Sequence, residues 1–104
     1  MIYKIYQLDY SKESVKNSHK MFEGWEDLIK YDDGFNFNDY KQVYEGEIAS
    51  TEKFDNITIL DNLFTKFNIK YPEDFRGHSL SVSDVIILDE KMYYCDNLGW
   101  KEIL

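Results

Sequence analysis

A strongly amphipathic segment at residues 55–67 constrains the fold of this chain more than any other feature. Apolar side chains recur there with the three- and four-residue spacing of one helix face, and they are Ile57, Leu60, Leu63, Phe64 and Phe67. Asp55 or Asn56 can cap the first turn. Because an apolar helix face has to be buried, we expect this helix to pack on a sheet.

Five segments rich in β-branched and aromatic residues predict the strands of that sheet. They are residues 1–8, 40–48, 85–88, 92–95 and 100–103. The segment 85–88 is apolar on both faces, and tight turns at 89–91 and 96–99 join the last three segments. We therefore predict an α+β fold with a small, mainly antiparallel sheet of about five strands and two helices.

The second predicted helix is shorter and begins after Asn17 or Ser18, either of which can cap it. Its apolar face consists of Phe22, Trp25, Leu28 and Ile29. Turn residues at 32–34 end it, and we expect it to lie near the edge of the sheet while the 57–67 helix crosses one face. Residues 71–83 contain Pro72 and are predicted to form an ordered loop.

The length and composition favour one globular domain covering residues 1–104. Hydrophobic residues make up 43% of the 104 residues and aromatic residues 17%, which is enough apolar surface for one core despite a net charge of −8. Cys95 is the single cysteine, and neither a signal peptide nor a membrane-spanning run is recognisable. We therefore expect a cytoplasmic protein with no membrane contact.

The charge distribution predicts the kind of partner. A chain with 20 acidic and 12 basic residues repels phosphate backbones, so direct nucleic-acid binding is not expected. Residues 23–47 hold eight acidic and two basic residues and thus carry six of the eight net negative charges. The candidate partner-binding residues there, whose complement is a basic protein surface, are Glu23, Asp27, Asp32, Asp33, Asp39, Glu45 and Glu47. The alternative is a solvated face that keeps a small protein soluble.

Residues with catalytic or metal-binding chemistry are few. His19 and His78 lack the ligand spacing of a zinc site, and no glycine-rich phosphate loop is present. We therefore predict no metal, no cofactor and no catalytic residue. The enzymatic alternative pairs His78 with Cys95 or with a serine of the loop at 79, 81 or 83, but Cys95 in a short strand is more typical of a small buried hydrophobe. Asp84 at a strand entrance is expected to cap a turn.

Several motifs resemble one known family. The sequence Pro-Glu-Asp-Phe-Arg-Gly-His-Ser-Leu-Ser-Val-Ser-Asp-Val-Ile-Ile-Leu at 72–88, followed by Tyr-Tyr-Cys-Asp-Asn-Leu-Gly-Trp-Lys-Glu-Ile at 93–103, resembles the YodL-like domain. Tyr-Lys-Gln-Val-Tyr at 40–44 and Phe-Asn-Ile at 67–69 agree with that family. One departure lies at 96–100, where relatives usually carry Asp-Ser-Phe-Gly-Phe.

The resemblance implies an origin in phages, plasmids or other mobile genetic elements, and some small members of the family are similar to anti-CRISPR proteins that act on type II systems. It therefore implies an inhibitor that binds a CRISPR effector nuclease, or its ribonucleoprotein, and blocks guide-RNA loading or nucleic-acid engagement through an acidic face. Two alternatives stay open: a protein-interaction module of a mobile element, and an RNA-cleaving enzyme.

The Gly-His-Ser loop at 77–79 has two interpretations. As structure, Gly77 permits a turn and His78 satisfies local backbone groups. As function, Arg76 and His78 form an exposed polar cluster that contacts a partner. The same choice applies to Phe22 and Trp25, which are core residues by spacing but interface anchors if their helix is only half covered.

Overall fold

Five antiparallel strands form one sheet, and helices cover both of its faces. The computed structural model describes residues 1–32, 34–49 and 54–103. The elements in chain order are β1 Ile2–Leu8, α1 Glu13–Lys16, α2 Trp25–Tyr31, β2 Tyr40–Glu47, α3 Asn56–Ile69, β3 Val85–Leu88, β4 Lys91–Asp96 and β5 Gly99–Glu102. The predicted α+β class and five-stranded antiparallel sheet are confirmed, with the four-residue α1 as an additional helix.

The strand order is β2-β1-β3-β4-β5, so β1 lies inside the sheet. In the ladder between β1 and β2, Ile5 is opposite Tyr44 while the next residue of β1, Tyr6, is opposite Gln42. Val43 is therefore an extra residue in β2, which is the pattern of a β-bulge. The bulge allows the neighbouring side chains of Val43 and Tyr44 both to pack against the core beneath α3.

The first core lies between the sheet and α3. Asp55 caps this helix, as predicted, by accepting a hydrogen bond of 2.8 Å from the Thr58 amide. The predicted helix face was only partly right, because Ile57 and Phe64 are 46% and 37% exposed while Ile59 is buried. The reason is tertiary: Phe75 and Leu80 of the 71–84 loop complete this core, and Phe67 of α3 packs edge-on against Phe75.

The second core lies on the opposite face of the sheet, beneath α1 and α2. Its buried residues are Leu8, Val15, Leu28, Tyr40, Val85, Met92 and Tyr94. Val85 belongs to this core and Ile86 to the first one, which confirms that β3 is apolar on both faces. The shorter helix packs over β4 and the edge strand β5. Trp25 contacts Tyr94 of β4 edge-on with ring centroids 5.1 Å apart, and Lys101 Nζ of β5 lies 5.8 Å from the centroid of the Trp25 ring.

The predicted start of the shorter helix, after Asn17 or Ser18, was wrong. The helix begins at Trp25 after Gly24, without a side-chain cap, and Phe22 lies outside it with a φ of 66°. Ile29 is 55% exposed, so it is not part of the buried face. The predicted turn at the end of α2 is confirmed at Gly34, which has a φ of 84° and donates its amide to the carbonyl of Leu28. Asp33 lies outside the described residues.

The loop predicted at 71–83 is confirmed, since no helix or strand occurs between α3 and β3. Leu80 reaches the first core and is buried. Gly77 does not adopt a positive φ. It is required instead for close approach, because a Cβ atom there would lie 2.4 Å from Gln7 Oε1.

None of the helices in the described ranges has the length and hydrophobicity that a bilayer crossing requires.

Candidate functional site

The carboxylates nearest to α2 form the most concentrated part of the predicted acidic face. Glu26 and Asp27 lie in the first turn of α2 and are exposed, where negative charge is favourable to the helix dipole. Glu23 precedes the helix and Asp32 follows it directly, and both are half-buried. These four carboxylates thus lie close in the chain to one short helix, on the face of the sheet that α2 covers, which we call the α2 side.

Glu23 and Asp32 form a close carboxyl pair. Burial raises the pKa of Glu23 to about 7, and hydrogen bonding and charge repulsion from Asp32 act in the same direction. Glu23 Oε2 and Asp32 Oδ2 are both inaccessible to solvent, and neither accepts a hydrogen bond from a donor in the described residues. Protonation of Glu23 relieves the repulsion between two carboxyl groups that lie this close together. With a pKa of about 7, Glu23 therefore does not carry a full negative charge at neutral pH.

Glu45 and Glu47 are brought to the same side of the sheet by strand register. They pair with Lys4 and Ile2 of β1, and the alternation of side chains along β1 places those residues on the face that Leu8 shares with α2. The Lys4 ammonium lies 3.9 Å from the Glu45 carboxylate, with side chains 42% and 52% exposed. An exposed pair at this distance contributes little to stability, so both glutamates remain open to a partner.

Asp39 does not belong to an exposed acidic face. It is 3% exposed, and its carboxylate accepts hydrogen bonds of 2.6 Å from both Lys20 Nζ and Ser14 Oγ. Burial by itself raises the pKa of Asp39, but Lys20 and Ser14 together outweigh that effect and lower the pKa overall. Through these bonds Asp39 links α1 and the loop that follows it to the start of β2. Its place among the partner-binding residues is thus not supported by its position.

Arg76 and His78 lie in the loop before β3, apart from the acidic residues. They border a cleft of about 500 Å³ together with Lys41 and Gln42 of β2. Arg76 donates a hydrogen bond of 2.8 Å to the carbonyl of Glu73. The backbone amide of His78 donates to Gln7 Oε1 at 3.1 Å, and its carbonyl accepts from Gln7 Nε2 at 2.8 Å. The backbone of this loop is therefore firmly held, while both side chains remain exposed.

A buried polar network supports the Gly-His-Ser loop from below. Asp84 is 1% exposed and accepts hydrogen bonds of 3.0 Å from Gln7 Nε2 and from the Ser81 amide. Burial raises the pKa of Asp84 to about 8 despite these two donors. His78 Nε2 lies 3.9 Å from Asp84 Oδ1, and His78 Nδ1 is 2.7 Å from the carbonyl of Ser79. The predicted turn cap at Asp84 is thus part of a larger network.

The chemistry needed for nucleophilic catalysis is not assembled by these contacts. Among the described interactions, His78 meets Asp84 and a backbone carbonyl rather than a serine hydroxyl or a thiol. Burial raises the pKa of Cys95 to about 12, which keeps the thiol protonated at neutral pH. Within residues 1–32, 34–49 and 54–103, no three histidine, cysteine, aspartate or glutamate side chains are arranged to hold a metal ion.

Comparison with known proteins assigns the family. The model of the YodL-like domain matches residues 2–104, which is almost the whole chain. The chain belongs to the YodL-like domain family. No curated protein and no solved structure matches it.

Sequence reasoning missed one feature of this YodL-like domain, Gln7, and misplaced another, Phe22. Gln7 could have been noticed, because it is a polar residue on the strand face that otherwise carries Tyr3 and Ile5. Phe22 was predicted to be either a core residue or an interface anchor, but its spacing from Trp25 placed it in a helix that in fact begins three residues later. Its left-handed backbone is uncommon for a bulky side chain and costs on the order of 1–3 kcal/mol.

Proposed function

We propose that this YodL-like domain is a non-catalytic inhibitor of a CRISPR effector nuclease and that its α2 side binds the basic channel which otherwise holds nucleic acid. One observation carries the proposal. Exposed carboxylates lie on the α2 side, Glu26 and Asp27 in α2 itself and Glu45 and Glu47 in the edge strand β2, and apolar residues of α2 are exposed as well. Ile29 and Tyr31 of α2 are 55% and 67% exposed.

An acidic and apolar surface of this kind is complementary to a cationic protein channel in both charge and apolar contact. Carboxylates compete with phosphates for the same arginine and lysine side chains. Exposed aromatic and aliphatic groups add contact area that stays dry once the complex forms. Because the net charge is only −8, we infer that the domain blocks guide-RNA loading through one face rather than imitating a full nucleic-acid duplex.

The direct test is co-purification from cells that express a tagged copy of this domain and a type II effector nuclease, with and without guide RNA. We expect the domain to retain the guide-free nuclease and to be excluded, or to exclude the guide, when both are present. If the domain retains the nuclease neither without guide RNA nor with it, the proposal is contradicted.

Charge-reversal variants test which surface is used. Glu26→Lys/Asp27→Lys changes the α2 side, whereas Asp61→Lys/Glu73→Lys changes net charge by the same amount at exposed positions in α3 and after it. We expect the first pair to weaken nuclease binding roughly tenfold or more and the second to have little effect. Equal losses in both pairs would mean that only the overall charge matters.

A matched assay tests the non-catalytic part of the proposal. Guide RNA is incubated with the purified domain, with and without the nuclease and with and without a chelator. We expect intact RNA in every reaction to which no nuclease was added, and cleavage by the domain alone would revive the enzymatic alternative.

A further inference from the structure

Phe22 combines a strained backbone with an exposed aromatic side chain. Its φ of 66° lies in the left-handed region, which glycine adopts without steric cost and a residue with a bulky side chain does not. The side chain is 62% exposed, so its burial offsets little of the free-energy cost of this backbone conformation. The fold itself would be served as well or better by glycine at this position.

The backbone around Phe22 is nevertheless held in place by three hydrogen bonds to distant residues. The Phe22 amide donates to Ser83 Oγ at 3.3 Å. The Tyr94 hydroxyl donates to the carbonyl of Glu23 at 2.7 Å, and the Trp25 amide donates to Asp96 Oδ1 at 3.0 Å. Phe22 is therefore presented on a fixed support, which reduces the entropy lost when such a side chain is buried in a complex.

The charges beside Phe22 indicate the partner. Glu23 is its immediate neighbour in the chain, and Glu26 and Asp27 follow within five residues with exposed side chains in the first turn of α2. An exposed ring close in the chain to exposed carboxylates suits an arginine side chain, whose guanidinium can stack on the ring while it donates to a carboxylate.

We propose that Phe22 is the aromatic anchor of a surface that binds an arginine-rich protein segment. This inference rests on the proposed function for the identity of the surface, and it deepens that function by naming the residue and the chemistry of the partner. It separates Phe22 from Trp25, whose ring packs against Tyr94 in the second core.

The experiment combines stability and binding in the purified full chain. The variants are Phe22→Gly, which removes both the ring and the strain, and Phe22→Ala, which removes the ring alone. Phe54→Ala is the matched control, because Phe54 is 54% exposed and lies before α3, outside the α2 side. The probes are a synthetic arginine-rich peptide and a lysine-rich peptide of equal charge, titrated by fluorescence anisotropy, and thermal unfolding is followed without peptide.

We expect wild-type protein to bind the arginine-rich peptide more tightly than the lysine-rich one. Phe22→Gly and Phe22→Ala should each weaken arginine-peptide binding at least fivefold, while Phe54→Ala stays within twofold. Phe22→Gly should melt at the same temperature as the wild type or higher. The inference is overturned if the wild type does not bind the arginine-rich peptide, if both Phe22 variants bind as the wild type does, or if Phe22→Gly melts markedly lower.

Titration of the effector nuclease with the same variants separates the two proposals. Phe22-dependent peptide binding without any binding of the nuclease would refute the proposed function and leave the anchor in place. Unchanged nuclease binding by Phe22→Gly would refute the anchor and leave the proposed function in place.

Discussion

Gln7 in β1 donates a hydrogen bond of 3.0 Å to the carboxyl group of Asp84, which lies 77 residues further along the chain. The same amide group donates to the carbonyl of His78 and accepts from the His78 backbone. One buried side chain thereby fixes the Gly-His-Ser loop to the sheet. Because Asp84 keeps its proton well into the neutral range, this network links stability to pH.

Asp84→Asn should abolish part of the pH dependence of folding. In the unfolded chain Asp84 is ionised above its ordinary pKa of 3.8, whereas in the folded protein its pKa is about 8. Folding therefore takes up a proton, and the free energy of unfolding should fall by up to ~1.4 kcal/mol per pH unit as pH rises toward 8. Asparagine can still accept from Gln7 and Ser81 but cannot titrate. Urea unfolding between pH 7 and 8 measures the slope, and an unchanged slope in the variant would contradict the assignment.

Glu23→Gln should remove a second contribution that has the same sign but a lower range of pH. The pKa of Glu23 is raised from 4.5 to about 7, so its contribution to stability is complete below about pH 4.5 and is lost as pH rises to 7. We expect the melting temperature of the wild type to fall between pH 4.5 and about pH 7, and that of Glu23→Gln to fall less. Glu26→Gln is the control at an exposed neighbouring carboxylate, and equal behaviour of the two variants would argue against the pair with Asp32.

Lys20→Met should destabilise the protein by about 3 kcal/mol, because it leaves the buried carboxylate of Asp39 without its cation. The double variant Lys20→Met/Asp39→Leu should recover much of that loss, since no buried charge remains. Chemical denaturation of the wild type and the two variants measures the difference. Additive losses in the double variant would show that the two residues do not act as a pair.

Phe67→Ala should cost on the order of 3–5 kcal/mol, because Phe67 is fully buried and contacts Phe75 edge-on at 4.9 Å. Phe64→Ala should cost less, roughly 1–2 kcal/mol, because Phe64 is partly exposed and its main aromatic contact is Trp100. Equilibrium unfolding of the two variants under identical conditions compares them directly. A larger loss for Phe64→Ala than for Phe67→Ala would mean that Phe64, rather than Phe67, faces the core.

The affinity of the domain for its partner should fall as salt increases. If the α2 side meets a basic channel, raising the ionic strength from about 50 mM to about 300 mM shortens the range of the attraction and slows association more than it speeds dissociation. Surface plasmon resonance with the nuclease resolves the two rates. A constant association rate would indicate that the apolar residues, rather than the carboxylates, dominate the encounter.

Much of the fold was predictable because it depends on short-range patterns. The apolar strand at 85–88 and the Asp55 cap of α3 were each predicted at the residues where the structure has them. A cap, a turn and an alternating strand are decided by residues within four positions of one another. The same is true of the turn at Gly34, which needs a residue that tolerates a positive φ.

The candidate site was predictable only as a composition. The sequence showed that residues 23–47 are acidic, but it could not separate Asp39 from the rest of that segment, since the burial of Asp39 depends on Lys20 and Ser14. A side chain 19 or 25 positions away has no characteristic spacing that a pattern can detect. Burial of a carboxylate is therefore a property of packing rather than of local sequence.

The amino-acid sequence by itself determined the strands, the long helix with its cap, the family and the sign of the surface charge. Only the tertiary structure decided that α2 packs on the face opposite α3, that Gln7 reaches Asp84, and that Phe22 stands exposed on a backbone held by Ser83. The physical reason is the same in each case. These features depend on contacts between residues about 60 or more positions apart, whose geometry is set when two faces of one sheet are covered together.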